Sequence, residues 1–225
     1  MMDTITMIGE QISNLCKTLS IMDDIVQMTG KLKVVDPEHV MAMEVECLDG
    51  SPVFGIESDK MLDPEDLVKM KIGSKDGFEV RTEDNLYVLR NAESFFGVPM
   101  IVPERQQPVR IPSLELHKVE VSGKMLKDII GQVSSISDHV AFSIEDGDVW
   151  VTADSECTKV GRKLAITDRD VNVLSKFPTD YLKRLMKVAG STVTIGLGMD
   201  YPMTFEWCDN YYRYKVLLAP RVEAK

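Results

Sequence analysis

Lys183, Arg184 and Lys187 sit in a stretch where Leu182, Leu185, Met186 and Ala189 recur at helical spacing, so the three cations gather opposite the packing stripe. Cationic side chains on one face of a short helix do one kind of chemistry well: they hold phosphate oxygens by charge, without reading bases. Lys124 and Lys127 repeat the pattern on an earlier helix, diluted by Asp128, and Lys69, Lys71 and Lys75 cluster at the end of a third. Lys17 is the cation of the first helix. Any one of these could be an ordinary solvated face, and recurrence across helices weighs against that reading without removing it.

Bond-making chemistry has no comparable support. His39, His117 and His139 stand at no recognisable spacing from a nucleophile or a metal ligand, and no Gly-x-Ser-x-Gly, His-Glu-x-x-His or phosphate-loop pattern occurs. Cys16, Cys47, Cys157 and Cys208 are far apart, with no Cys-x-x-Cys pair, so the expectation is reduced core thiols rather than a disulfide framework or a zinc site. No catalytic residue, metal or cofactor is expected, and the chain reads as a binding module.

The elements that carry the basic faces come in two sets. Gly9, Ile12, Leu15, Cys16, Leu19 and Ser20 match Gly123, Leu126, Ile129, Ile130, Val133 and Ser134 at one spacing, and each series leads through a turn into a strand, from Asp24 to Met28 and from Asp138 to Phe142. A second pair of helices, from Pro64 and from Thr179, follows at nearly the same spacing. Two helices at one period indicate a duplicated unit. Between the copies, Met100 to Leu114 carries Pro103, Pro108 and Pro112, which excludes both a helix and a central strand and implies an extended linker. The domains expected are 1–100 and 115–225, joined by 101–114.

Helices are predicted over Thr6–Ser20, Pro64 to about Ile72, Gly123–Ser134 and Thr179–Val188. Asp63 before Pro64 is a helix start. Strands are predicted in the first half over Ile25–Met28, Lys31–Val35, Met41–Cys47, Pro52–Ile56, Phe78–Thr82, Leu86–Arg90 and Ser94–Met100. In the second half they fall at Lys118–Val121, Val140–Glu145, Val149–Ala153, Lys159–Ile166, Val171–Lys176, Thr192–Leu197, Met203–Trp207 and Tyr212–Leu218. Asp146-Gly147-Asp148 marks a hairpin. The class is α+β, with antiparallel sheets and two helices in each half.

With 225 residues, 44% of them hydrophobic, two domains can each bury a core. A formal net charge of −10 argues against coating nucleic acid with the whole surface, yet leaves room for a local basic face. The opening residues show no basic, apolar leader and no stretch approaches a membrane span, so an intracellular soluble protein is expected.

Ser191–Ile195, Asp200–Met203 and the closing Lys215–Glu223, with its Leu-Ala-Pro-Arg-Val-Glu tail, resemble the last strands and tail of the PCNA family of sliding clamps, in particular its archaeal members. Gly123–Ser137 with Asp138–Phe142 resembles the family's second-domain helix and strand, and Val34–Val40 its Met-Asp-Ser-Ser-His-Val loop. The resemblance implies the DNA clamp fold: three two-domain subunits head to tail in a ring, helices lining a channel for duplex DNA. It implies a processivity factor without catalytic activity, tethering DNA polymerase, clamp loader and other proteins through a short peptide motif.

Carried over by position, the resemblance places DNA contacts at Lys17, Lys69, Lys71, Lys124, Lys127, Lys183, Arg184 and Lys187. The partner groove would take Val35, His39, Val109, Ile111, Pro112, Pro202, Leu217, Ala219, Pro220 and Val222; the subunit interface would take Phe96, Val98, Met100, Lys159, Gly161 and Lys163. Three departures stand out. The first helix offers only Lys17 where the family has several basic residues, Asp128 and Gly131 replace arginines, and Leu217 stands where many members have Tyr. Alternatives are a subunit of a heterotrimeric or checkpoint-type clamp and a clamp-like interaction protein that never encircles DNA.

Overall fold

The structure, a computed structural model, describes residues 5–22, 26–27, 30–56, 58, 60–73, 75–102, 112, 114–168 and 171–221. The chain divides into two compact units. One is the N-terminal part up to Ile111 together with Asp209–Tyr214; the other is Pro112–Cys208 with the residues from Lys215 onward.

In the first unit the elements run β1 (Ile5–Ile8), α1 (Gly9–Leu19), a 3-10 turn (Ser20–Met22), β2 (Val26–Gln27), β3 (Lys31–Val35), β4 (Met41–Cys47), β5 (Met61–Leu62), α2 (Pro64–Lys69), β6 (Gly77–Glu83), β7 (Leu86–Arg90) and β8 (Phe95–Pro99). In the second they run β9 (His117–Ser122), α3 (Gly123–Val133), β10 (His139–Glu145), β11 (Asp148–Asp154), β12 (Lys159–Ile166), β13 (Val173–Pro178), α4 (Thr179–Leu185), β14 (Thr192–Leu197), β15 (Met203–Cys208) and β16 (Tyr212–Leu218). Apart from the 3-10 turn, the order of helices and strands is the same in both.

The pairing repeats too. Strand order β1-β6-β7-β8 in the first unit answers β9-β14-β15-β16 in the second; β2 pairs β5 as β10 pairs β13, and β3 pairs β4 as β11 pairs β12. Alternation packs each sheet: β4 buries Met41, Met43, Val45 and Cys47 and leaves the residues between them half exposed. Phe142 and Phe177 meet edge to face in the second core, as Phe54 and Tyr87 do in the first.

Each long helix begins where two backbones nearly touch. Gly9 donates its N–H to the Asp76 carbonyl at 2.8 Å, and Gly123 donates to that of Ser191 at 2.8 Å. A β-carbon on Gly9 would run into the Gly73 carbonyl, and one on Gly123 into the Gly190 carbonyl. The same steric need at both starts is why glycine opens both copies.

Most predicted elements are present to within a residue or two, but several expectations are corrected. The helix drawn from Thr6 starts at Gly9. Ile5–Ile8 is instead a strand paired with Gly77–Val80, because a long-range ladder outweighs the local helical pattern. The strand drawn over Pro52–Ile56 is a turn with Gly55 at φ 74°. Its carbonyls are taken by side chains, Tyr87 Oη donating to Phe54 at 2.9 Å and Tyr212 Oη to Val53 at 3.2 Å, rather than by a neighbouring strand. The second helix stops at Lys69, since Lys71 adopts φ 50°, and the last stops at Leu185. The two-residue β5 escapes the sequence reading. Asp63 does cap α2, accepting from Glu65 N at 2.8 Å, and Asp146 and Gly147 turn the hairpin with φ 50° and 78°.

The thiols divide in two: Cys16 and Cys47 are buried, whereas Cys157 and Cys208 are exposed. The expectation of four core thiols fails because Cys157 lies in the Ser155–Thr158 turn and Cys208 ends β15. Burial pushes the Cys16 thiol far up and the Cys47 thiol up, keeping both protonated and inert. A thiol-alkylating reagent is expected to label Cys157 and Cys208 in the native chain and all four cysteines only in denaturant, as peptide mass mapping would show.

Candidate nucleic-acid interface and partner face

In the second unit α3 and α4 pack side by side. Leu126, Ile129, Ile130 and Val133 of α3 and Leu182, Leu185 and Met186 at α4 are buried, which turns Lys124, Lys127, Lys183 and Lys187 outward. Ala189, drawn on the packing stripe, is half-buried. Ser122 starts α3 by accepting the Met125 N–H at 3.4 Å. Lys183 lies 3.8 Å from Asp180, and Lys124, Lys127 and Lys187 make no ion pair among the described residues. Arg184 is held differently: its guanidinium stacks 5.1 Å from the Tyr181 ring centre, and the residue is half-buried. Between the helices runs an open groove of about 470 Å³ with Lys127, Lys183 and Lys187 on its walls.

In the first unit α1 and α2 also pack together, but their outer faces differ. Lys17 is exposed on α1 beside Glu10, Ser13 and Asn14. Lys69 pairs with Asp66 at 3.0 Å and approaches Glu65 at 4.0 Å, and the Asp66 hydrogen bond raises its ammonium pKa. Lys71 and Lys75 are exposed just beyond α2. At the positions that answer Lys183 and Lys187 stand Val68, 41% exposed, and Ile72.

The expected interface strands, β8 and β12, are outer strands of the sheets they belong to. Val98 and Met100 are buried in the first unit, and Phe96 stacks edge to face on Phe78. What β8 turns outward is Phe95, 54% exposed, with Gly97 and Pro99. On β12 Lys159, Gly161 and Lys163 are all exposed, Lys163 reaching Asp148 at 2.6 Å.

Of the expected partner-groove residues, Val109, Ile111 and Val222 lie outside the described residues. In the first unit Val35 is half-buried and His39 exposed, on a tight loop in which Asp36 accepts the Met41 and Glu38 N–H groups and His39 takes φ 58°. In the second, Pro112 is exposed and Pro202, Leu217, Ala219 and Pro220 are half-buried. The tail is fixed by Arg221, which donates its N–H to the Lys176 carbonyl at 2.8 Å and lays its guanidinium against His139. Sequence reasoning passed over Leu174, Met199 and Tyr201, all about half exposed; their signal was an apolar residue on each side of the Asp200 turn.

Among the described residues no cluster of His, Cys, Asp and Glu could hold a metal ion, and no helix is long and apolar enough to cross a membrane.

Two units repeating one antiparallel fold, each with a pair of helices on its sheets, define a DNA clamp fold. The comparisons agree. A solved structure of Archaeoglobus fulgidus PCNA, with the C-terminal region of FEN-1 bound, matches with a TM-score of 0.81 at 25% identity, over 98% of this chain and 99% of that one. PCNA from Thermococcus kodakaraensis matches with a TM-score of 0.79 at 19% identity, over 96% and 99%. In sequence the chain is 28% identical to the A. fulgidus DNA polymerase sliding clamp over 214 residues, 86% of this chain and 85% of the relative. It is 29% identical to that of Pyrococcus furiosus over 220 residues, 85% of each. No family model matches the chain. On the fold and these relatives together, the chain is similar to the PCNA family of sliding clamps over most of its length.

Proposed function

We propose that three copies of this chain close head to tail into a ring that encircles duplex DNA inside the cell, and that the ring tethers DNA polymerase and other replication and repair proteins without catalysing a reaction itself. The observation that carries the reading is the pattern of partnered and unpartnered strands. β4 has the start of β16 as its neighbour, within the Asp209–Tyr214 segment that belongs to the first unit, through Arg213 on Glu46 at 2.7 Å and the Leu48 N–H on the Tyr211 carbonyl at 2.9 Å. By the repeat, β12 answers β4 and β8 answers β16. Yet β12 and β8 are outer strands with no strand beyond them in the described chain. An unpaired edge is a liability unless covered, and the β8 of a second copy supplies the β12 edge with the neighbour that β4 already has. Such a contact is heterologous and builds a ring when it closes.

The helices then face the DNA with the lysines, while the overall charge of −10 is carried elsewhere. Partners dock a short peptide, for which the candidate contacts are Val35 and His39 in the first unit and Pro202, Leu217, Ala219 and Pro220 in the second. Light scattering combined with duplex binding tests the reading. The expected mass is three times the 25.3 kDa of one chain. Binding to two unrelated duplex sequences is expected to be equal and to fall steeply with salt. A chain that stays single, or that prefers one sequence, overturns it.

A further inference from the structure

We infer that the groove between α3 and α4 seats one phosphate strand of the duplex, so that the second unit grips DNA and the first only surrounds it; this rests on the clamp reading above. Three observations converge. The first is charge. The positions matching Lys124 and Lys127 on α1 are Glu10 and Ser13, and those matching Lys183 and Lys187 at α2 are Val68 and Ile72, so four cations of the second unit are absent from the first, which has Lys17 where the second has Gly131. The remaining α2 cation, Lys69, is already shared between Asp66 and Glu65.

The second is shape. The groove of about 470 Å³ is open to solvent and is lined by Lys127 of α3, by Lys183 of α4 and by Lys187 just beyond it. A sugar-phosphate backbone laid in it meets ammonium groups from both sides, an arrangement that positions a strand without reading bases.

The third is Gly131. It lies inside α3, is exposed, lines the groove, and has nothing within 4 Å of where its β-carbon would be. Glycine inside a helix costs about 1 kcal/mol relative to alanine. Gly9 and Gly123 are required by close backbone contacts; Gly131 has no such internal reason. A bare backbone on the groove floor lets a phosphate approach the helix more closely than any side chain would. Asp128 also lines the groove, and its carboxylate repels phosphate, which keeps the hold loose enough for the strand to move along it.

The test uses the full-length assembled protein and a fluorescently labelled linear duplex, with anisotropy read from about 50 to 200 mM salt. Lys127, Lys183 and Lys187 changed together to Ala should weaken binding on the order of tenfold or more at low salt and take ~0.9 per lost contact off the salt slope. Gly131→Leu, which removes no charge and fills the floor, should weaken it as well, and Asp128→Asn should strengthen it. Lys17, Lys69 and Lys71 changed together to Ala should leave both affinity and slope close to those of the parent chain. Equal losses from the two triple variants, or a loss from the first-unit triple alone, overturn the one-sided grip while leaving the clamp reading in place. A parent protein that ignores duplex DNA at low salt overturns both.

Discussion

Gly123→Ala is expected to destabilise the chain by about 3 kcal/mol, seen as a urea midpoint lower by about 1–2 M. The cause is backbone against backbone. Gly123 opens α3 with its N–H on the Ser191 carbonyl at 2.8 Å, and a β-carbon there would strike the carbonyl oxygen of Gly190. Neither side can yield, since Gly190 is itself hemmed in by Trp207. Relief requires moving the start of the helix away from Gly190 and Ser191, which disturbs the packing of Leu126, Ile130 and Val133. Gly9→Ala faces the same clash with Gly73 and should cost a similar amount. Gly131→Ala, in the same helix as Gly123 but facing open space, is expected to act in the opposite direction and add about 1 kcal/mol. If Gly123→Ala and Gly131→Ala shift the midpoint alike, close approach is not what holds glycine at the helix start.

The duplication was legible in the sequence because both copies must solve this one steric problem and must bury one stripe per helix. Gly9 with Gly123 and Leu67 with Leu182 are residues whose identity is dictated locally, and they were visible without coordinates. Strands with strict alternation, such as Met41–Cys47 and Tyr212–Leu218, were legible to the residue. What escaped is decided at a distance. Ile5–Ile8 is a strand only because Gly77–Val80 lies beside it, and the turn around Val53 is held by hydroxyls from Tyr87 and Tyr212, far along the chain.

The basic site was partly legible on the same terms. Periodicity shows that Lys183 and Lys187 leave the packing face, but not that Arg184 stacks on Tyr181, or that Lys69 is drawn to Asp66. A groove between two helices is a property of their packing, which no single helix pattern contains. The edge of β8 shows the sharpest form of the limit: alternation in sequence picks out Phe96 and Val98, but which alternate set faces the core is set by the hairpin. Asn91 N donates to Ser94 at 2.9 Å and Met100 N to Asn85 at 2.7 Å, so by antiparallel alternation Phe96 and Val98 are bonded to β7. The outward N–H groups belong to Phe95 and Gly97.

The same alternation on β12 yields the second large effect, that Gly161→Pro is expected to leave a folded single chain of 25.3 kDa in place of an assembly. Ser155 N donates to the Thr158 carbonyl at 2.8 Å at the β11–β12 turn, and the register pairs Lys159 with Asp154, Val160 with Ala153 and Gly161 with Thr152. Counting from that bonded pair, Val160 and Arg162 spend their N–H groups on β11, while Lys159, Gly161 and Lys163 turn theirs outward. A proline at Gly161 therefore costs the chain no internal ladder bond and removes one donor from the middle of the open edge. It also places the pyrrolidine ring where, in the proposed assembly, a neighbouring strand approaches to hydrogen-bond distance. Gly161→Ala is the control: its β-carbon meets the Thr152 methyl at 3.2 Å, a contact that side chain can relieve, and its N–H remains. Val98→Pro would be a poor substitute, because Val98 is fully buried and bonded to β7, so loss of assembly there would reflect unfolding. Light scattering with circular dichroism decides the matter. A Gly161→Pro chain with an intact far-ultraviolet spectrum and the parent's mass would remove β12 from the joint between copies.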